Sequence, residues 1–175
     1  MPGAPRPEPA SSEWLDSVIE PIVDPDAPII DPHHHLWPPG GSMPYQLGDL
    51  QADLASGHTI VDTVFVECGA SYDRAAGDAF APVGETVFVT AQAERSDRQL
   101  MGGIVAHADL RNADLDAVLD AHTEAGHGRF RGIRHAGSHA LHPETLTIPG
   151  RAPVGLYADA AFRTGVARLG ERGLT

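Results

Sequence analysis

Residues 30–37 read Ile-Asp-Pro-His-His-His-Leu-Trp. The residues in front of the histidines, Pro28, Ile29 and Ile30, make a short apolar and partly β-branched run, the pattern of a buried strand. Successive side chains of a strand point to opposite faces, so Asp31, His33 and His35 are expected on one face and Pro32 and His34 on the other. Two imidazoles converging at the end of a strand supply half of a divalent metal site, because a neutral ring nitrogen is the commonest protein ligand for zinc and related ions. A bare run of histidines can also be a surface tract that binds metal adventitiously. The context argues for a built site: a strand precedes the pair, an aspartate stands two residues before His33, and Trp37 stands two residues after His35.

Around that stretch the chain alternates between two periods. Four prolines in residues 1–11 predict a disordered tail, since such a segment buries too little apolar surface to offset its ordering entropy. Ser12 can cap a short helix through Glu20, with Trp14, Leu15, Val18 and Ile19 on one stripe. Leu50 and Leu54 at helical spacing predict a helix over 49–56, ended by Gly57. Residues 60–68 read as a strand with Val61, Thr63, Phe65 and Glu67 on one face and Asp62, Val64, Val66 and Cys68 on the other. Glu67 there points either into a site or at a basic partner. The β-branched stretch at 86–91 favours strand by propensity, yet the run from 83 to 99 opens after a proline and continues into strong helix formers, which predicts a helix. Residues 103–106 form the third strand and deliver His107 and Asp109. Asn112 or Asp114 caps the next helix, whose stripe of Leu115, Val118, Leu119 and His122 makes His122 a structural residue. Residues 130–134 form the fourth strand, and 157–171 the fourth helix of the alternation, with Phe162, Val166 and Leu169 on one face. Strand and helix alternating at roughly 30-residue spacing is the signature of βαβ units and a parallel sheet. An open flavodoxin-like sheet would fit the length and a half barrel the motifs.

Composition narrows the partners. With 24 acidic against 12 basic residues the net charge is -12, which argues against nucleic acid or an anionic membrane as partner and for solubility. No Gly-rich phosphate loop follows any strand, so nucleotide binding has no support. The single cysteine, Cys68, ends an apolar strand, where a buried thiol is the expectation rather than a nucleophile. Without a membrane-length apolar run or a signal-peptide layout, the cytoplasm is the default compartment.

The Asp-x-His-x-His-x-Trp motif after an apolar strand resembles the first-strand motif of the amidohydrolase superfamily, in its branch of lactonase-like and decarboxylase-like TIM-barrel hydrolases. Residues 63–68 (Thr-Val-Phe-Val-Glu-Cys), 103–110 (Gly-Ile-Val-Ala-His-Ala-Asp-Leu) and 130–135 (Phe-Arg-Gly-Ile-Arg-His) look like its second, third and fourth strands in order. The resemblance runs from Pro28 to the last residue. It implies an α/β fold, the N-terminal half of a TIM (β/α)8 barrel with four βα units and parallel strands over 12–175, because a complete barrel needs about 250 residues. It also implies a divalent ion, zinc for preference, held by His33 and His35. The remaining ligands and a proton-transferring aspartate are expected beyond residue 175. In the whole enzyme the ion polarises a carbonyl and the carboxylate handles the proton, for hydrolysis of a lactone, ester or amide bond of a small-molecule substrate. A decarboxylase of the same superfamily, or a non-catalytic metal-binding or interaction module, is the alternative.

Arg134 is the leading substrate-binding candidate. Gly132 and Arg134 share a face, and a small glycine suits the crowded barrel interior, which points Arg134 into the site as a donor fork for a carboxylate or lactone carbonyl. The other reading is a salt bridge from Arg134 to Glu67 or Asp109. Trp37 is expected as a wall of the site or as a shield over the core. His107 and His135 end adjacent strands and are carried as further substrate contacts. Half a barrel leaves two open edges, so aggregation or homo-oligomerisation is expected.

Overall fold

A computed structural model describes residues 11–15, 17–18, 20–40, 43–146, 150 and 152–175. The expected disordered tail lies outside the described residues except for Ser11. The elements run α1 (Ser12–Leu15), β1 (Pro28–His34), α2 (Leu47–Asp53), β2 (Thr59–Val66), α3 (Val83–Arg95), β3 (Gly103–Ala106), α4 (Leu115–Ala125), β4 (Phe130–Ile133) and α5 (Ala160–Glu171). The four strands form one parallel sheet in the order β1-β2-β3-β4. Every strand therefore lies beside its sequence neighbour, and all four C-terminal ends open at one end of the sheet, which is where the functional candidates collect.

Register shows which residues face the helices. Phe65 pairs with Ile104 and Ala106 with Ile133, and all four are buried in the main core with Leu50, Val89, Val118, Leu119 and Phe162 from the helices. Val64 pairs with Gly103, Val66 with Val105, and Val105 with Gly132, so these residues line the opposite face. The stripe read along α4 is borne out, since Leu115, Val118, Leu119 and His122 are all buried. The run at 83–99 is a helix over Val83–Arg95 in spite of its β-branched content, packed through Thr86, Val89, Thr90 and Ala93. Tertiary burial of one face overrides local propensity there.

Three expectations need correction. Of the helix expected over 12–20 the described residues show one turn, Ser12–Leu15, and Trp14 and Val18 are exposed, while Ile19 lies outside the described residues. On α5 the buried positions are Phe162, Gly165 and Leu169, while Val166 is exposed. In β1, Asp31 pairs with Thr63 and His34 with Phe65, so three steps on β1 match two on β2. This bulge places Asp31 on the face of His34 rather than with His33 and His35. Its cause is local: the Asp31 carboxylate accepts the His33 N–H at 3.0 Å, and Pro32 has no N–H to give the ladder, a combination suited to a bulge. No helix among the described residues is long and apolar enough to cross a membrane.

Candidate active site at the C-terminal ends of the strands

The bulge leaves the expected histidine pair intact. His34 is buried on the helix side, its Nε2 2.9 Å from Thr63 Oγ1 and its ring edge-on to Phe65, and burial lowers its pKa and keeps the ring neutral. His33 and His35 turn the other way, their rings 4.9 Å apart and perpendicular. His35 Nδ1 lies 2.7 Å from the carbonyl oxygen of Val66. A carbonyl only accepts, so Nδ1 carries the hydrogen and Nε2 keeps its lone pair, the tautomer in which histidine ligates a metal through Nε2 while a backbone carbonyl orients the ring. Trp37 stands beside His35, ring centroids 5.6 Å apart, and its backbone N–H donates to the Tyr45 carbonyl oxygen at 2.9 Å.

One strand further on, Glu67 continues the ladder past β2 by donating its N–H to Val105 O, and Arg134 continues it past β4 by donating to Ala106 O. Their side chains meet. Arg134 Nε donates to Glu67 Oε1 at 2.9 Å, and Nη2 donates to the Glu67 carbonyl. The salt-bridge reading of Arg134 is thus realised with Glu67, and the guanidinium still lies at the end of the sheet that carries the histidines. Tyr72 donates its hydroxyl to Glu67 Oε2 at 3.3 Å, and burial followed by the Glu67 charge raises the phenol pKa. Asp109 is occupied elsewhere: Arg111 grips both carboxylate oxygens at 2.9 and 2.7 Å and holds its pKa down at about 2.

His107 and His135 adopt opposite tautomers. His107 Nδ1 donates to Arg134 O at 2.9 Å, which leaves Nε2 as a lone pair. His135 Nδ1 accepts the Leu110 N–H at 3.2 Å, which puts its hydrogen on Nε2, and burial lowers its pKa. The two rings are 5.7 Å apart, and the Tyr72 ring lies nearly parallel to His107 at 6.3 Å.

The first turn of α3 supports this end of the sheet from below, a role that local sequence patterns do not reveal. Glu85, 2% exposed, accepts the Ala70 N–H at 2.7 Å, the Cys68 N–H at 3.3 Å and the Cys68 thiol at 3.5 Å, pinning the segment that follows Glu67. Burial and the Glu85 carboxylate push the Cys68 thiol up to about 12, which makes it inert as a nucleophile. Next to Glu85, Thr86 Oγ1 lies 2.8 Å from Nδ1 of His122, whose Nε2 donates to the carbonyl of His107 at 3.1 Å. Glu85 carries one outward signal, an acidic residue in a helix first turn; Tyr72, in a loop rich in small residues, carries none.

The described residues gather no group of three or more histidine, cysteine, aspartate or glutamate side chains able to hold a metal ion. His33 and His35 by themselves supply at most two donors for a divalent ion. Compared with protein-family models and with solved structures, the chain matches none. It is similar to Uncharacterized protein y4mH of Sinorhizobium fredii (strain NBRC 101917 / NGR234), with 28% identity over 178 aligned residues, 86% of this chain and 52% of that protein. The chain spans about half the length of the curated relative it matches.

Proposed function

We propose that this chain is the N-terminal half of a TIM-type (β/α)8 barrel and belongs to a metal-dependent hydrolase of the amidohydrolase kind, acting on a lactone, ester or amide of a small carbonyl compound. The observation that carries the reading is the pairing of His33 and His35 on one side of β1, with His34 turned away and the His35 Nε2 lone pair left available by the bond to Val66 O. In this reading the two imidazoles hold a divalent ion, zinc by ligand preference, with further ligands from outside the chain. The ion supplies Lewis acidity towards the substrate carbonyl. Arg134 has Nε and Nη2 committed to Glu67, so its fork is oriented and Nη1 is left to take a substrate oxygen. Tyr72 buttresses Glu67, Trp37 backs His35, and His135 offers an Nε2–H donor opposite the acceptor Nε2 of His107.

Zinc titration followed by Trp37 fluorescence, in a Trp14→Phe background, tests the ligand assignment. Saturable quenching should disappear in His33→Ala and in His35→Ala and persist in His34→Ala. Quenching lost equally in all three, or retained in the first two, would show that the pair is an incidental surface tract. A γ-lactone that perturbs the same fluorescence in the zinc-loaded chain, with the effect weakened in Arg134→Ala, would support the hydrolase over a non-catalytic metal-binding module.

A further inference from the structure

The opposite end of the sheet has a chemistry of its own. A cleft of about 590 Å³ opens at the N-terminal ends of β3 and β4, lined by Arg98, Arg129 and Arg131 together with His127 and Glu94. All 12 basic residues of this acidic chain are arginines, and four of the ten among the described residues hold a carboxylate. Arg111 holds Asp109 at 2.7 Å, Arg134 holds Glu67 at 2.9 Å, Arg168 holds Glu171 at 2.7 Å, and Arg172 holds Asp120 and Asp116 at 2.6 and 2.9 Å. None of the three arginines in the cleft makes such a pair among the described residues. Arg98 rests Nη2 on the Ile60 carbonyl at 2.8 Å, and Arg131 rests Nη1 on those of Gly128 and Phe130 at 2.7 and 3.0 Å. Those bonds anchor each guanidinium by one nitrogen and leave its other donors unused. The one acidic side chain lining the cleft, Glu94, is engaged by His127 Nδ1 at 2.7 Å.

Three guanidiniums gathered against the single carboxylate of Glu94 are unfavourable unless something neutralises the excess. The C-terminal ends of α3 and α4 reach the cleft through Ser96 and His127, but a helix end contributes only about half a charge. Charge therefore remains unbalanced, and it is presented by planar forks whose geometry matches phosphate oxygens. We propose that this cleft binds a small phosphate-bearing anion, inorganic phosphate or a phosphate monoester, on Arg98, Arg129 and Arg131. The site is independent of the reaction at the other end of the strands.

Calorimetric titration of inorganic phosphate into the 175-residue chain at low salt is the test, with sodium chloride at matched ionic strength as the comparison. Saturable binding that chloride does not reproduce is expected. Arg129→Ala should weaken it roughly tenfold or more, the scale of one lost charge-assisted pair. Because the Arg129 side chain bonds to no other described residue, that variant leaves the fold undisturbed. Arg131→Lys, which keeps the charge and removes the fork, should weaken binding as well, while Arg163→Ala on the exposed surface of α5 should not. Vesicles carrying phosphatidylinositol phosphate, run beside a soluble phosphate monoester, distinguish a lipid headgroup from a free ester. Absence of saturation, an equal response to chloride, or equal weakening by all three substitutions would overturn the proposal.

Discussion

His122 donates its Nε2 hydrogen to the backbone carbonyl of His107, and burial governs the protonation of its ring. His122 is fully buried, and desolvation pushes its imidazole down from 6.5 to about 4. The folded protein holds the ring neutral, whereas the unfolded chain takes up a proton as the pH drops below 6.5. Stability is therefore unaffected above pH 6.5, falls as the pH descends towards about 4, and levels out below that. A shift of this size corresponds to roughly 3 kcal/mol over the window. His34 and His135, both lowered by burial, add slope of the same sign. Urea unfolding between pH 7 and 4.5 should show the decline, and His122→Gln, whose amide can still donate to His107 O, should make it shallower; an unchanged slope would mean that the ring already titrates in the native state. Much at this scale was legible beforehand. Helical spacing marked His122 as structural, and strand alternation paired His33 with His35. Whether Arg134 would meet substrate or Glu67 was undecidable, because a guanidinium serves a bound carboxylate and a neighbouring one equally well. Tyr72 and Glu85 escaped notice because their partners come from other elements, which no local period records.

Among the elements, α5 shows where periodicity misleads. Apolar spacing favoured Val166 as a core position, but the helix turns Gly165 inward, where an added Cβ would collide with the Leu110 carbonyl oxygen and lie 2.8 Å from Leu110 Cβ. Only a residue without a side chain lets α5 approach the segment after β3 this closely. Gly165→Val should thus destabilise by about 1–3 kcal/mol through overpacking, although helix propensity alone predicts a small gain. Val166→Ala, at an exposed position, should stay within about 0.5 kcal/mol. Urea midpoints for both variants decide between packing and propensity as the stronger influence on this helix. The bulge in β1 makes a related point. Asp31 and Pro32 advertise an irregular strand, but only pairing with β2 shows that the extra residue falls before His34, so that the pair of His33 and His35 keeps its face and Asp31 loses it.

For the whole molecule, the unpaired side of the sheet sets the behaviour in solution. Phe65 and Ile104 face the helices and are 1% and 0% exposed. Part of the apolar surface left to water lies on the other face, where Ile30 is 58% exposed and Val64 and Val105 are half-buried. On the outer edge of β4, Thr175 donates its N–H to Arg131 O at 3.0 Å and accepts the Ile133 N–H at 2.8 Å, the spacing of a further parallel strand. At the other side of the sheet, the outer edge of β1 pairs with no strand among the described residues. A sheet with one apolar face and an open edge associates. Sedimentation velocity of the purified chain should reveal dimers or larger species, and Ile30→Lys should shift them towards monomer; a cooperatively melting monomer would instead favour a self-sufficient open sheet. The sequence by itself determined the type and order of the elements, the parallel arrangement and the histidine pair, because each is written in periods of two or about four residues within one segment. Tertiary structure alone decided that Arg134 pairs with Glu67, that Glu85 pins the segment after β2, and that three arginines without carboxylates share a cleft. Those contacts join residues distant along the chain, whose meeting depends on register and helix packing.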